Sequence, residues 1–257
     1  DQFGVLHDGV QPYQHAISAL EQLKEHNKQV VIVSNSGKRA AVNVNRLVRM
    51  GFHRELFDAV VTSGEVAYHS MKTLLQQSSV SSCYLIARDG DVSSIAGLDL
   101  NVSEDAGSAD LILISASEAE RFSEADYRDK LRSAAEKNTL CLCTNPDKKM
   151  LTPKGLMFGA GRIAEIYEAL GGHVTWVGKP FPAVYQHILS LYSNQGRGRI
   201  LCIGDSVEHD IAGGVGANVK TLLVQTGIQA GLSEPELQSQ YLQYSVSPDY
   251  VAPALRF

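Results

Sequence analysis

The chain has 257 residues, 44% of them hydrophobic and 20% charged, enough to bury one large core or two modest ones. Lys and Arg number 23 against 28 Asp and Glu, a formal charge of -5, so no positive field exists to draw in nucleic acid or an anionic membrane surface. Small molecules or proteins are left as partners, and self-association to a homo-oligomer is left open.

The opening residues, DQFGVLHDG, put a carboxylate, Asp1, ahead of a turn containing Gly4 and Gly9. The sequence starts at Asp rather than Met, and part of a first strand, with any targeting segment, is expected upstream. Residues 29–34 (QVVIVS) read as a buried strand, 38–50 as a helix, 59–62 (AVVT) as a strand and 64–76 as a helix. Behind a Ser-rich break at 78–82 come strands at 83–87 (CYLIA) and 110–115 (DLILIS), a helix near 124–137 and a strand at 139–143 (TLCLC). A helix at 160–170, a strand at 173–177, a run at 198–203 (GRILCI) and a strand at 221–224 (TLLV) complete the series. Short β-branched runs alternating with helices predict a wound, Rossmann-like parallel α/β sheet. Residues 79–173 read as a second, smaller α/β unit inserted into a core formed by 1–78 and 174–257.

No repeat, low-complexity tract or apolar run of membrane-spanning length is present. Cys83, Cys141, Cys143 and Cys202 lie in apolar runs without a CxxC pair, which suggests neither a disulfide framework nor a zinc knuckle, and fits a reducing cytoplasm. Two glycine motifs mimic nucleotide sites. Gly159, Gly161 and Ala164 have GxGxxA spacing, but the preceding MLTPKGLM contains Pro153 and Gly155 and makes a poor buried strand. Gly37-Lys38 lacks the earlier glycine and the following Ser or Thr of a phosphate loop.

Ligands of open α/β sheets gather beyond the carboxyl ends of strands, so polar residues directly after apolar runs are the candidates for chemistry. Those are Asp1, Ser34-Asn35 closing QVVIVSN, Lys179 in TWVGKP, and Asp205 with Asp210 in LCIGDSVEHD. A carboxylate, a hydroxyl, an ammonium and a carboxylate pair at converging strand ends would hold a phosphate together with a divalent cation. Each alone has an ordinary explanation: a helix N-cap at Ser34, a loop lysine at 179, an acid favouring a helix dipole at 205.

In this order the residues resemble the haloacid dehalogenase (HAD) superfamily. With GVLHDG after Asp1, SNS after the second strand, SGEVA at Ser63, TNPD at Thr144 and GKP before GDS, they are similar to its subfamily IIA, which carries a large α/β cap between the second and third motifs. The resemblance implies a HAD-like core with an inserted cap, and a magnesium-dependent phosphatase of a small phosphorylated metabolite, a sugar phosphate among the candidates. It implies Asp1 as nucleophile forming a phosphoaspartate, with Ser34 and Lys179 assisting. Asp1, the main-chain carbonyl of Phe3, Asp205 and Asp210 are the expected Mg2+ shell. Asn35, Thr144 and Asn145 are expected at the substrate, with Asp147 on the same face. Asp8, Ser36, Lys38 and Arg39 are weaker candidates, since a surface turn and early helix positions explain them equally well.

The family places a second aspartate two residues after the nucleophile, as general acid and base. Here Phe3 stands there, and a phenyl ring neither donates nor accepts a proton. The alternative reading is therefore a catalytically impaired phospho-ligand-binding or regulatory protein, and a third is a phosphotransferase. The ring is expected to pack against apolar neighbours.

Overall fold

The computed structural model describes residues 1–152 and 154–256. In chain order the elements are α1 (Ala16–Glu25), β1 (Val31–Ser34), α2 (Ala40–Arg49), β2 (Ala59–Thr62), α3 (Ser63–Gln77), β3 (Ser82–Ile86), β4 (Asn101–Val102) and β5 (Leu111–Ile114). They continue with α4 (Glu124–Glu136), β6 (Leu140–Cys143), β7 (Lys149–Thr152), β8 (Gly155–Phe158), α5 (Ala160–Ala169), β9 (Val174–Trp176) and α6 (Pro182–Leu191). The last are β10 (Leu201–Gly204), α7 (Ala212–Gly216), β11 (Lys220–Val224), α8 (Glu234–Tyr244) and β12 (Tyr250–Ala252).

Two compact units result, one formed by Asp1–Ser34, Ala40–Val61 and Lys179–Phe257, the other by Asn35–Arg39 and Thr62–Gly178. In the first unit β10, β11 and β12 pair in parallel in that order, while β1 pairs with β2 in a separate sheet. Its main core joins Val5, Leu6, Ala19, Leu20, Ile32, Leu47, Phe52 and Phe57. In the second unit a single parallel sheet runs β4-β3-β5-β6-β9. The central strand β5, LILI, is buried at every position, as a parallel strand covered on both faces must be. The helix α5 lays Ile163, Ile166 and Tyr167 on that sheet, and α4 adds Tyr127, Leu131 and Ala134. A capping box between Ser123 and Asp126 starts α4 and satisfies amides that have no partner within the helix.

The sequence pattern leaves α1, β4, α6, α7, α8, β12 and the antiparallel hairpin β7–β8 unassigned. The hairpin occupies the MLTPKGLM stretch that reads as a poor buried strand; Pro153 itself lies outside the described residues. The helix expected from residue 38 begins at Ala40, because the preceding loop is tied elsewhere: Thr62 Oγ1 donates to the Lys38 carbonyl and the Gly64 amide to that of Ser36. All four cysteines are free, and among the described residues no helix is long and apolar enough to cross a membrane.

Candidate functional site

In the first unit the chemistry-bearing side chains collect at carboxyl ends of strands. Asp1 is anchored beside the end of β10, its amino nitrogen donating to the Ile203 carbonyl at 2.7 Å. The next residues turn tightly, because the Gln2 carbonyl accepts from the amides of Leu6 at 2.8 Å and His7 at 3.2 Å. The Gln2 amide donates to Asp1 Oδ1 at 2.7 Å and so orients the carboxylate.

Asp205 follows β10 directly, and its Oδ2 accepts from the Ile228 amide at 2.8 Å. Two glycines make room for it. A Cβ on Gly4 or on Gly227 would lie 2.0 Å from Asp205 Oδ2, and both residues have positive φ, +85° and +56°. Beyond Ser206 the chain makes a π-helical turn, Val207–Ile211, which swings Asp210 back toward the strand end. Asp210 Oδ2 accepts from the Ser206 amide at 3.1 Å and Oδ1 receives Lys179 Nζ at 2.7 Å. The same ammonium, only 2% exposed, lies 3.0 Å from Asp1 Oδ1.

Ligand oxygens of Asp1, Asp205 and Asp210 lie within 4.8 Å of one another. Three carboxylates facing one ammonium leave an excess of negative charge in a buried place, and the groups respond to it. Burial, then Asp210, raises the Asp205 carboxyl to about 6, against the opposing Ile228 hydrogen bond and Lys179. Burial also acts upward on Asp210, but the ammonium of Lys179 overrides it and holds that carboxyl below its ordinary value. An all-oxygen set with unbalanced negative charge is the chemistry of a hard divalent cation, so the residues fit Mg2+.

Ser34, at the end of β1, belongs to the same unit, and its Oγ accepts from Gln2 Nε2 at 2.7 Å. Gln2 was not among the residues the sequence pattern singles out; its only signal is a glutamine following the candidate nucleophile. Asn35, Ser36, Lys38, Arg39, Thr144, Asn145 and Asp147 fall in the second unit. Asn35 donates through Nδ2 to Asp147 Oδ1 at 2.9 Å, and Asn145 Oδ1 accepts from the Asp147 amide at 3.1 Å. Thr144 extends β6 by donating its amide to the Ile114 carbonyl at 2.9 Å. Lys38 meets Asp91 at 3.2 Å, while Arg39 grips both carboxylate oxygens of Glu65 at 2.8 Å and stacks over Tyr68.

Asp8 is occupied with its own turn, Oδ1 accepting from the amides of Val10 and Gln11 at 2.8 Å. Those hydrogen bonds, Gln11 first, hold its carboxyl below the ordinary value. Phe3 does not enter a core as expected. Its ring is 44% exposed and packs edge-on to His7 with centroids 5.9 Å apart, because the turn spends its buried positions on Val5, Leu6 and His7. The GxGxxA glycines serve packing: a Cβ at Gly159 or Gly161 would come within 2.1 Å of the Asp147 or Pro146 carbonyl.

Residues 1–101 match a family model described as haloacid dehalogenase-like hydrolase, and residues 176–256 one described as HAD-hydrolase-like. Chronophin of Bos taurus is 27% identical over 259 residues, covering 96% of this chain and 86% of that protein. An acid sugar phosphatase of Staphylococcus epidermidis is 22% identical, covering 88% and 84%. A haloacid dehalogenase-like hydrolase from Brucella suis superposes with a TM-score of 0.82 at 24% identity, over 98% of this chain and 92% of that one.

Proposed function

The chain belongs to the haloacid dehalogenase superfamily, as a wound parallel-sheet core with the inserted α/β cap of subfamily IIA, and from that premise we propose that it is a magnesium-dependent phosphatase of a small phosphorylated metabolite. The observation that carries the reading is Lys179, buried and within 3.0 Å of both Asp1 and Asp210, with Asp205 completing the acidic cluster. A phosphate monoester suits such a site, its oxygens meeting the Lys179 ammonium and a cation held by the carboxylates.

In this reading an Asp1 oxygen attacks phosphorus, the bond from phosphorus to the leaving oxygen breaks, and the transferred group remains as a phosphoaspartate. Water then attacks the same phosphorus, the bond to Asp1 breaks, and inorganic phosphate leaves. Lys179 neutralises Asp1 and the group in transfer, and Ser34 donates to a phosphoryl oxygen. Asp1, the Phe3 carbonyl and Asp205 would hold Mg2+, with Asp210 in support, and the cation would offset the charge of the ester. Asn35 would contribute to substrate choice, as would Thr144 and Asn145 from the cap, taken as residues 79–173. Acid sugar phosphatase among the relatives makes sugar phosphates the first substrates to try.

The decisive measurement is phosphate release from a panel of metabolites with Mg2+ present, comparing the parent with Asp1→Asn. The variant should lose at least about three powers of ten, as removal of a nucleophile does. Release that is undiminished in Asp1→Asn would end the proposal. Phe3 favours a second reading, a phospho-ligand-binding protein without turnover, and phosphate-ester binding with no release from any metabolite would select it.

A further inference from the structure

Gln2 is a buried amide in a position that burial alone does not explain. It is 4% exposed, its carboxamide Oε1 has no hydrogen-bond partner, and its Nε2 donates both protons, to Ser34 Oγ at 2.7 Å and to Asn43 Oδ1 at 2.9 Å. A buried carbonyl oxygen left unsatisfied costs stability. An apolar side chain of similar length would avoid that cost, so the amide is expected to serve something other than packing.

Its two contacts say what. A serine hydroxyl has one proton and two acceptor lone pairs. With Gln2 Nε2 donating to one lone pair, the Ser34 proton cannot point back at Gln2 and is directed elsewhere. Accepting a hydrogen bond also polarises the O–H and makes it a stronger donor. Asn43, itself 4% exposed on α2, takes the second amide proton and fixes which end of the carboxamide faces Ser34. The main chain of the same residue orients Asp1, through the 2.7 Å bond from the Gln2 amide to Asp1 Oδ1.

Resting on the phosphatase reading above, we infer that Gln2 is a positioning residue of the phosphate site: through its side chain it sets Ser34 as a donor to a phosphoryl oxygen. Asn43 is the anchor that keeps Gln2 in that orientation. Substituting the side chain leaves the main-chain bond to Asp1 in place, so the two contributions of Gln2 can be separated.

The test is a double-mutant cycle on the full chain, reading the binding of inorganic phosphate at saturating Mg2+ by calorimetry. The four proteins are the parent, Gln2→Met, Ser34→Ala and the double variant, with thermal unfolding measured in parallel. Each single variant should weaken phosphate binding about five- to tenfold, as loss of a hydrogen bond to a charged group does, and the double variant should bind no more weakly than Ser34→Ala alone. If Gln2→Met weakens the Ser34→Ala protein by the same factor as the parent, Gln2 acts elsewhere and the inference fails. It fails too if Gln2→Met lowers the unfolding midpoint while the folded protein keeps parental affinity, which is what a merely structural residue would do. Gln2→Leu carries the same comparison should the methionine variant not fold. A parent that binds no phosphate removes the phosphatase reading itself, whereas binding by the parent with additive losses removes only the role of Gln2.

Discussion

The two compact units read alike in sequence, strand and helix in turn, and differ in what they bury. The second unit closes five parallel strands into one sheet, and its acids are paired where water still reaches them, Glu124 and Glu165 with Arg162 for example. The first unit buries Asp205, Asp210 and Lys179 at the strand ends. In the second unit no buried charged side chain opposes the gain from apolar burial, among the described residues. In the first, part of that gain is offset by desolvating three carboxylates with one ammonium to share. An arrangement with surplus negative charge is a stability cost in isolation and a binding site in the presence of a cation.

The comparison is broken most sharply at Phe3, because the chemistry, if it is confined to the first unit, should respond to one residue there. With its ring 44% exposed, Phe3 stands where a carboxylate could be solvated, so Phe3→Asp should fold. It should raise hydrolysis of unactivated alkyl phosphates about a hundredfold to ten-thousandfold and change activated aryl phosphates much less, since only poor leaving groups need the proton. Efficient alkyl-ester hydrolysis by the parent, unimproved in Phe3→Asp, would mean that another group already supplies it.

The next effect tests packing. Leu131 on α4 is fully buried in the second core. Leu131→Ala should cost about 3 to 5 kcal/mol, because the side chain leaves a cavity among fully buried neighbours. Denaturant titration gives the number, and a cost near zero would mean that the second core is not packed around Leu131.

A smaller effect should appear with the opposite sign. Asp205 ionises in the native state only above about 6, for reasons of burial and of Asp210 beside it, while an unfolded aspartate ionises near 3.8. An acid raised in this way binds its proton more tightly when folded, so stability is lost as pH rises from the unfolded value through about 6. Asp205→Asn should therefore stabilise the metal-free protein at pH 7 by about 3 kcal/mol at most, while abolishing the extra stability that Mg2+ gives the parent. Thermal melts of both proteins with and without Mg2+ decide it. A destabilised metal-free variant would show that the acidic cluster carries no unfavourable charge.

How far the sequence could be read follows the same division. Strands such as LILI and TLCLC declare themselves by composition, and the helices between them by period, so the wound α/β architecture was legible. Strand-end positions exposed Asp1, Ser34, Lys179, Asp205 and Asp210 as candidates, and in the structure they occupy one unit at the ends of its strands. What escaped depends on distant partners. The Ile228 amide on Asp205, the 2.0 Å clearances at Gly4 and Gly227, and the Gln2–Ser34 contact join segments far apart in sequence, with no periodic signature. The exposure of Phe3 escaped too, since a phenyl ring beside Val5 and Leu6 reads as core until the turn is seen to give the buried places to those neighbours.

His7 supplies the smallest expected effect and places pH sensitivity in one unit. Its side chain is fully buried, Nδ1 accepts from the Gly9 amide at 3.0 Å, and Nε2 has no partner. The Gly9 contact requires an unprotonated Nδ1, so the imidazole is neutral with its proton on Nε2. Burial first, then the charge of Arg46, lowers it from 6.5 to about 4, against a small opposing effect of Asp8. A depressed histidine contributes stability that is whole above its unfolded value and is lost as pH falls through the window from 6.5 to about 4. Between pH 7 and pH 5 that loss should be about 2 kcal/mol, measured by denaturant titration without divalent cations. His7→Gln keeps an acceptor for the Gly9 amide but cannot titrate, so its stability should change by that much less over the same range, the carboxylates being common to both proteins. Hydrogen exchange should locate the parent's loss in the turn of residues 2–9 and leave β5 and β6 protected. If the parent and His7→Gln lose stability in parallel, or if the strands of the second unit open first, the acid response is not built into this turn.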